Sequence, residues 1–316
     1  MKLLTEISLP DYPIRIDHRA PSLFMGSCFT DNIGRLLERS LFPVSINPFG
    51  VTYNPVSVRR QLFALMEKEH YKPADLNQHN KLWFSFDHYT GFSSPDREKC
   101  LEGINKDFLQ SKKVLSKAKL LVITWGTAWI YRYNTSGEVV CNCHKIPAGE
   151  FTRSRLSVKE IIGSYSDLLP KLFRHNPELK VLFTVSPVRH WKDGAHGNQL
   201  SKASLLLATE ALEQQFPEQV FYFPSYELLM DELRDYRFYG EDLLHPNNSA
   251  TLYIWEKFQK VLVSEESQQI VRELEPLLKM EEHRPSGIAS ETHLKMLKKR
   301  DEKRTILKKK YPFLNW

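Results

Sequence analysis

The stretch Leu23-Phe24-Met25-Gly26-Ser27-Cys28-Phe29-Thr30-Asp31 decides how this chain is read. It opens apolar, turns at a glycine, passes two small nucleophilic side chains and runs into helix-forming sequence. A strand that is apolar on both faces belongs in a parallel sheet covered by helices on both sides. Gly26 permits a tight turn or the close approach of another group. Cys28 then falls at or just before a helix N-terminus, where free N–H groups and the dipole favour an anion. A thiolate there is expected to have a lowered pKa and to be a good nucleophile near neutral pH. The same pattern also fits a small buried cysteine closing a core strand.

Working outward, four further runs have strand character: Pro43–Phe49, Leu120–Gly126, Val181–Pro187 and Val220–Pro224. Helix-period segments accompany them at Asp31–Ser40, Pro55–His70, Ser157–Arg174, Gln199–Phe216 and Asn247–Val263. Alternating strands and helices predict an α/β domain with an open parallel sheet and right-handed crossovers. Two segments break the alternation. Residues 71–96 are aromatic-rich and loop-like, and residues 129–151 read as a hairpin turning near Asn134–Gly137. Both leave carboxyl ends of strands, the side on which open α/β sheets bind their ligands. The expected division is a domain over 1–263 with these two insertions, then a charged helical extension over 264–316, broken at Pro285–Gly287.

Composition fits a globular chain: 316 residues, 41% hydrophobic and 26% charged. No stretch approaches the ~20 apolar residues of a membrane span, and the N-terminal apolar run is too short for a signal peptide. The cytoplasm is the expected compartment, and Cys28, Cys100, Cys141 and Cys143 are expected to be thiols. The net charge of +6 sits wholly in the tail, where residues 289–316 hold nine Lys/Arg against three Asp/Glu. Such a run on a helix is usually a solvated face, so no nucleic-acid partner is expected. Packing of the tail back on the domain through Leu294, Leu297, Ile306 and Leu307 is expected instead. The composition fixes no oligomeric state.

A thiol or hydroxyl nucleophile needs a base within hydrogen-bond reach, and the base needs an orienting group. Asp242-Leu243-Leu244-His245-Pro246 offers both on a turn before a helix. An Asp capping a turn beside a surface His would have the same spacing.

The stretch FMGSCFTDN resembles the N-terminal signature of the GSCFA family, here GSCFT at Gly26–Thr30. That family is similar to the SGNH/GDSL hydrolases, whose first block has the form GDSxT after an apolar strand. The resemblance sets Cys28 at the nucleophilic Ser and Ser27 at the Asp beside it. Asp242 and His245 match the hydrolases' DxxHP block in spacing, order and the following Pro. Gly50 resembles the second-block Gly, and Gly126 the Gly of the GxND block, but Ala128 stands where the hydrolases carry Asn. The resemblance spans roughly Leu23 to Val263. It implies a flavodoxin-like, three-layer α/β/α domain with five parallel strands in the order 2-1-3-4-5. It also implies oxyanion donors at Gly50 and Gly126, beside the Cys28 amide; either Asn142, Asn47 or Asn198 replaces the missing side-chain amide, or the oxyanion hole is weaker.

Other polar clusters stand near the insertions and strand exits. Asn142–Lys145 resembles an NCHK motif of GSCFA proteins, which implies that His144 and Lys145 rim the site. Its Cys-x-Cys spacing is not that of a structural zinc site, so no metal is expected. Asp87-His88 fits a substrate-binding loop or a solvated pair. The loop after the fourth strand run carries Arg189 and His190 and leads to Asn198 and Lys202. It also resembles GSCFA sequences and suits an anionic or sugar substrate, although Asn198 or Ser201 equally suits a helix start.

The expected activity is acyl transfer from an ester or thioester, by hydrolysis or passage to an acceptor such as a carbohydrate. His245, oriented by Asp242, takes the Cys28 proton. No metal or bound cofactor is needed, and acyl-CoA fits as a donor co-substrate. Two rivals stay open: a Ser27-dependent esterase, and a non-catalytic glycan- or ligand-binding protein on the same fold.

Overall fold

The computed structural model of the chain describes residues 4–282 and 291–316; the expected break at Pro285–Gly287 lies outside them. In chain order the strands are β1 (Ser22–Gly26), β2 (Val44–Ile46), β3 (Asn77–His79), β4 (Leu82–Phe84), β5 (Leu120–Trp125), β6 (Trp129–Tyr133), β7 (Val139–Val140), β8 (Phe151–Arg155), β9 (Lys180–Val185) and β10 (Val220–Tyr222). The helices are α1 (Cys28–Arg39), α2 (Pro55–Glu67), α3 (Arg97–Leu115), α4 (Val158–His175), α5 (Gly194–Gln215), the single turn α6 (Ser225–Glu227), α7 (Asn248–Leu262), α8 (Glu265–Glu282) and α9 (Glu291–Lys310).

Strands β2, β1, β5, β9 and β10 lie side by side and parallel. Counted among themselves in chain order they read 2-1-3-4-5, the flavodoxin-like order expected. Their side chains alternate between two cores, as a pleated strand requires. Leu23, Met25, Leu121, Ile123, Val181 and Phe183 pack against α2 to α5. Phe24, Val122, Leu182 and Phe221 point the other way, against α1 and α7. The result is the expected three-layer α/β/α domain.

Local chemistry sets the helix starts. Asn54 accepts the Ser57 amide hydrogen bond at 2.9 Å ahead of Pro55, and Asn247 accepts that of Ala250 at 3.1 Å. Ser157 and Glu160 form a reciprocal capping box on α4. Helix α5 begins at Gly194, so neither Asn198 nor Ser201 starts it. Helix α1 begins at Cys28, three residues before the expected segment.

Three further differences from the sequence expectation have physical causes. Helix α3 was not expected, because its buried side is one narrow line of Cys100, Ile104, Phe108, Ser111 and Leu115 on an otherwise polar segment. The loop-like region before it holds the β3–β4 hairpin, turned through Asn80 and Lys81 in left-handed conformations (φ 48° and 63°). In the tail Leu307 is buried with Leu314 against Ile270, Leu274 and Leu277 of α8. Leu294 and Ile306 are 57% and 66% exposed. The four apolar tail positions point to different sides of a 3.6-residue helix, so they cannot all pack.

The second insertion forms an antiparallel sheet, β7-β6-β8, with its β6–β7 turn between Tyr133 and Val139 as expected. It stands over the carboxyl edge of the main sheet. Among the described residues no helix is long and apolar enough to cross a membrane.

Candidate active site

The turn after β1 is fixed by close backbone packing. Gly26 has φ 135°, and a Cβ there would lie 2.1 Å from the Thr124 carbonyl oxygen of β5. Its N–H donates to Asn47 Oδ1 at 2.8 Å, and its carbonyl accepts the Thr52 amide at 2.9 Å. Asn47 is itself buried and left-handed (φ 42°), bracing the turn from below. Cys28 follows as the first residue of α1 and is half-buried.

The Tyr53 hydroxyl faces the Cys28 thiol. Burial raises the thiol above its ordinary pKa; the Tyr53 hydroxyl, the thiol's own backbone amide and the buried Lys202 charge work in the opposite direction without reversing it. The lowered pKa expected from the helix start is therefore corrected: burial is the largest influence on the thiol here. Cys28 is a protonated thiol near neutral pH and needs a base to activate it.

That base has a candidate in place. His245 Nδ1 lies 2.5 Å from Asp242 Oδ2, and both residues are half-exposed. Asp242 Oδ1 accepts the amides of Leu244 and His245, each at 3.0 Å. These bonds hold the Asp242 carboxyl well below the usual carboxylate range, with the His245 amide the largest influence. Asp242 thus keeps the ring nitrogen Nε2 of His245 as the one without a fixed partner. The turn closes through Gly240, whose N–H donates to the His245 carbonyl at 2.8 Å.

Cys28 and His245 line the same two cavities. One is an apolar pocket of about 40 Å³ between the starts of α1 and α7, walled by Phe29, Ile33, Val188 and Ile254. The other is a wider cleft of about 600 Å³ under the second insertion, bordered by the rings of Tyr53, Trp129 and Tyr131 and by Arg153, Arg189 and His190.

The remaining expected site residues divide sharply. His190 borders the cleft, its ring edge-on to Tyr53 with centroids 5.6 Å apart. Burial, then the Lys202 charge, pushes it down to about 4, so it is neutral at physiological pH. Asn198 is buried and accepts the His190 amide at 3.0 Å, so it supports His190. Lys202 is fully buried, and its ammonium donates to the carbonyls of Gly126 (2.6 Å) and Ser186 (2.5 Å). It ties the exits of β5 and β9 together beneath the cleft. Burial, then repulsion by Arg189, lowers it to about 7. Asn142 borders the cleft, its carbonyl oxygen capping the His144 amide at 2.8 Å.

Gly50 and Gly126 are not free donors. The Gly50 amide is bonded to the Asn47 carbonyl at 2.7 Å, and Gly50 lines neither cavity. The Gly126 amide is bonded to the Tyr53 carbonyl at 2.7 Å. Ser27 borders the cleft, but its hydroxyl is buried and has no hydrogen-bond partner. Asp87, His88, His144 and Lys145 line neither cavity. Asp87 is buried and takes Arg60 Nε at 2.6 Å and the Tyr71 hydroxyl at 2.9 Å. His88 lies among Phe49, Tyr71 and Phe92, and burial lowers it to about 3. His144 stacks on Phe84 at 4.1 Å, with Nε2 3.0 Å from the Ser85 carbonyl, and burial lowers it to about 4. His144 ties the second insertion to the first, while Asp87 and His88 hold the first insertion to α2 and its own core; the substrate-contacting roles expected for them are corrected. The exposed Lys145 shares their turn but not the cleft.

Tyr53, Arg153 and Lys192 are cleft residues that the sequence did not single out. Only Tyr53 had a signal: it lies two residues before α2, between the second strand run and Pro55. No group of three or more His, Cys, Asp or Glu residues among those described is arranged to hold a metal ion.

Fold and site together define a three-layer α/β protein with a thiol and an Asp-held imidazole facing one cleft at the carboxyl edge of its sheet. The model of the GSCFA family matches residues 21–258. The chain belongs to the GSCFA family. A search of curated proteins finds no match. Among solved structures it is similar to a family two carbohydrate esterase from Clostridium thermocellum in complex with cellohexaose, at 13% identity and TM-score 0.26 over 45% of this chain and 36% of that one. It is similar to a carbohydrate esterase family 3 from Talaromyces cellulolyticus, at 15% and 0.26 over 52% and 64%. It is also similar to an acetyl xylan esterase from the rumen bacterium Butyrivibrio proteoclasticus, at 10% and 0.36 over 86% and 66%. The chain spans between about a third and two thirds of the length of these structures.

Proposed function

We propose that this protein is an acyl-transfer enzyme acting on an ester through Cys28, with His245 as base and Asp242 as its orienting carboxylate. One observation carries the reading: Cys28 and a histidine with Nδ1 held by a carboxylate line the same two cavities. The unequal cavities divide the substrate. A short acyl group fits the apolar pocket, and a polar alcohol such as a sugar fits the cleft.

In the first half-reaction His245 Nε2 takes the Cys28 proton as Sγ bonds to the ester carbonyl carbon. The carbonyl oxygen becomes an oxyanion. When it collapses, the carbon–oxygen ester bond breaks and the alcohol leaves with the proton from His245. The acyl group remains as a thioester on Cys28. Water or an acceptor hydroxyl then gives its proton to His245 and attacks the thioester; the carbon–sulfur bond breaks, and His245 returns the proton to the Cys28 sulfur. Donors aimed at the oxyanion supply much of the rate in such reactions. With the Gly50 and Gly126 amides bonded elsewhere, the amides opening α1 and the Tyr53 hydroxyl take that role.

The test is incubation with an activated short-chain ester, followed by intact-mass and peptide mass spectrometry. An acyl adduct is expected on Cys28, absent in Cys28→Ala and kept in Ser27→Ala. His245→Ala is expected to slow acylation about 10²–10⁴-fold, as loss of a general base does. No adduct, together with an unchanged ester-cleavage rate in His245→Ala, would overturn the reading.

A further inference from the structure

We infer that the substrate is an anionic sugar ester, its carboxylate or phosphate held by Arg189 at the seam between the cleft and a neighbouring cavity. This rests on the acyl-transfer reading for the position of the ester, but not for the anion site itself.

Arg189 is half-buried and lines both the 600 Å³ cleft and an adjoining cavity of about 560 Å³. Among the described residues it is the cation at these two cavities that has neither a hydrogen bond nor an ion pair. Its neighbours are all engaged. Arg153 is paired with Asp193 and lies over the Trp129 ring at 4.1 Å. Lys192 donates to the Tyr131 hydroxyl at 3.1 Å. Arg234 is paired with Asp231 at 3.0 Å. The acids are engaged as well: Asp235 holds Arg237 at 2.8 Å, and Asp242 holds His245.

The consequence is one guanidinium, Arg189, with no carboxylate paired to it. The cleft carries Arg153, Arg189 and Lys192 against the single carboxylate of Asp193. Beneath them Lys202 is satisfied only by carbonyl oxygens. A guanidinium removed from part of its water, with no partner, gains most from a planar anion that it can grip through two N–H groups. Carboxylate and phosphate both have that shape.

Position assigns the charge to the alcohol side of the ester. The acyl pocket is small and apolar, and Arg189 does not line it. The surfaces beside Arg189 suit a sugar ring: Trp191 and Tyr236 border the adjoining cavity with 57% and 73% of their surface exposed. Exposed aromatic faces pack against the apolar face of a pyranose while its charged substituent turns to the guanidinium.

The test uses three matched mono-O-acetyl sugars: a methyl glucoside, glucuronic acid and glucose 6-phosphate. The wild-type enzyme should cleave one or both anionic esters with kcat/KM about tenfold or more above the neutral one, the magnitude of one charge-assisted contact. The gap should close as salt is raised. Arg189→Gln should shrink it chiefly through KM, and Arg189→Lys should keep part of it. Which anionic ester gains more separates a uronic acid from a sugar phosphate. Equal cleavage of all three, or an equal loss for all three in Arg189→Gln, overturns this inference and leaves the esterase reading standing. If none is cleaved, unesterified glucuronic acid and glucose 6-phosphate are titrated calorimetrically into both proteins. Binding that Arg189→Gln abolishes sustains the anion site while the esterase reading falls. Binding by neither protein overturns the anion site.

Discussion

Tyr53 is the residue on which the chemistry of this site turns. Its hydroxyl faces the Cys28 thiol, and its carbonyl accepts the amides of Gly126 and Thr127 at 2.7 and 3.0 Å. One residue thus anchors the exit of β5 and reaches the nucleophile. Burial and the facing thiol push the Tyr53 hydroxyl up to about 12, so it remains a donor throughout the working range. Tyr53→Phe should lower kcat for ester cleavage about 10²–10³-fold if the hydroxyl meets the oxyanion, while the protein still folds through the unchanged backbone bonds. Steady-state kinetics beside a thermal melt check this. At this scale the sequence was partly legible. Asp242–His245 is followed by Pro246 ahead of a helix, which the chain's other Asp-x-x-His, Asp193–His196, is not. Asp87, His88 and His144 were misread because a polar residue looks the same whether it faces a cleft or another loop. Only the packing of Phe84, Tyr71 and Arg60 around them decides which.

At the scale of elements, β1 and β5 approach so closely at Gly26 that no side chain fits. Gly26→Ala combines a Cβ 2.1 Å from a carbonyl oxygen with φ 135°. It should destabilise the fold by about 3 kcal/mol or more, read as a lower denaturant midpoint. The strands were legible because parallel strands covered on both faces read as apolar runs. Helix α3 was not, because one line of side chains four apart suffices to seat it at the edge of the sheet. The insertions make a different prediction. His88 and His144 have pKa values of about 3 and 4 in the fold, against an ordinary 6.5. The unfolded chain therefore binds protons below about pH 6.5 that the fold refuses. Stability is full above that pH and is lost as pH falls toward 4. Asp87, raised by burial, works in the opposite sense in the same place. A melting series on His88→Phe isolates the histidine: the wild-type decline between pH 6.5 and 4 should flatten.

For the whole molecule, the extension is less separate than its charge suggested. Helix α8 is joined to the N-terminal segment by His18 Nδ1 and Ser267 Oγ at 2.9 Å, and by Arg19 with Glu266 at 2.7 Å. Helix α9 lies on α8, with Arg304 paired to Glu281 and Lys310 to Glu273, each at 2.6 Å. Part of the basic run therefore faces acids of its own chain, which the sequence did not reveal because the partners lie more than twenty residues away. Deleting 289–316 uncovers Ile270, Leu274 and Leu277. Each buried side chain of this kind contributes about 1.5–3 kcal/mol when fully covered. The truncated chain should melt at a lower temperature and still cleave esters at the same kcat, because α9 lines neither site cavity.

The pinning of the two insertions carries a consequence for descent. His144 from one stacks on Phe84 of the other, and the Cys141 amide donates to the Phe86 carbonyl at 2.9 Å. Removing either segment strands the other's buried imidazole and backbone groups without partners, at a cost of about 1–3 kcal/mol for each group. The two segments are separated in sequence by α3 and β5 but are thermodynamically one unit. A lineage can gain or discard them together far more easily than one at a time.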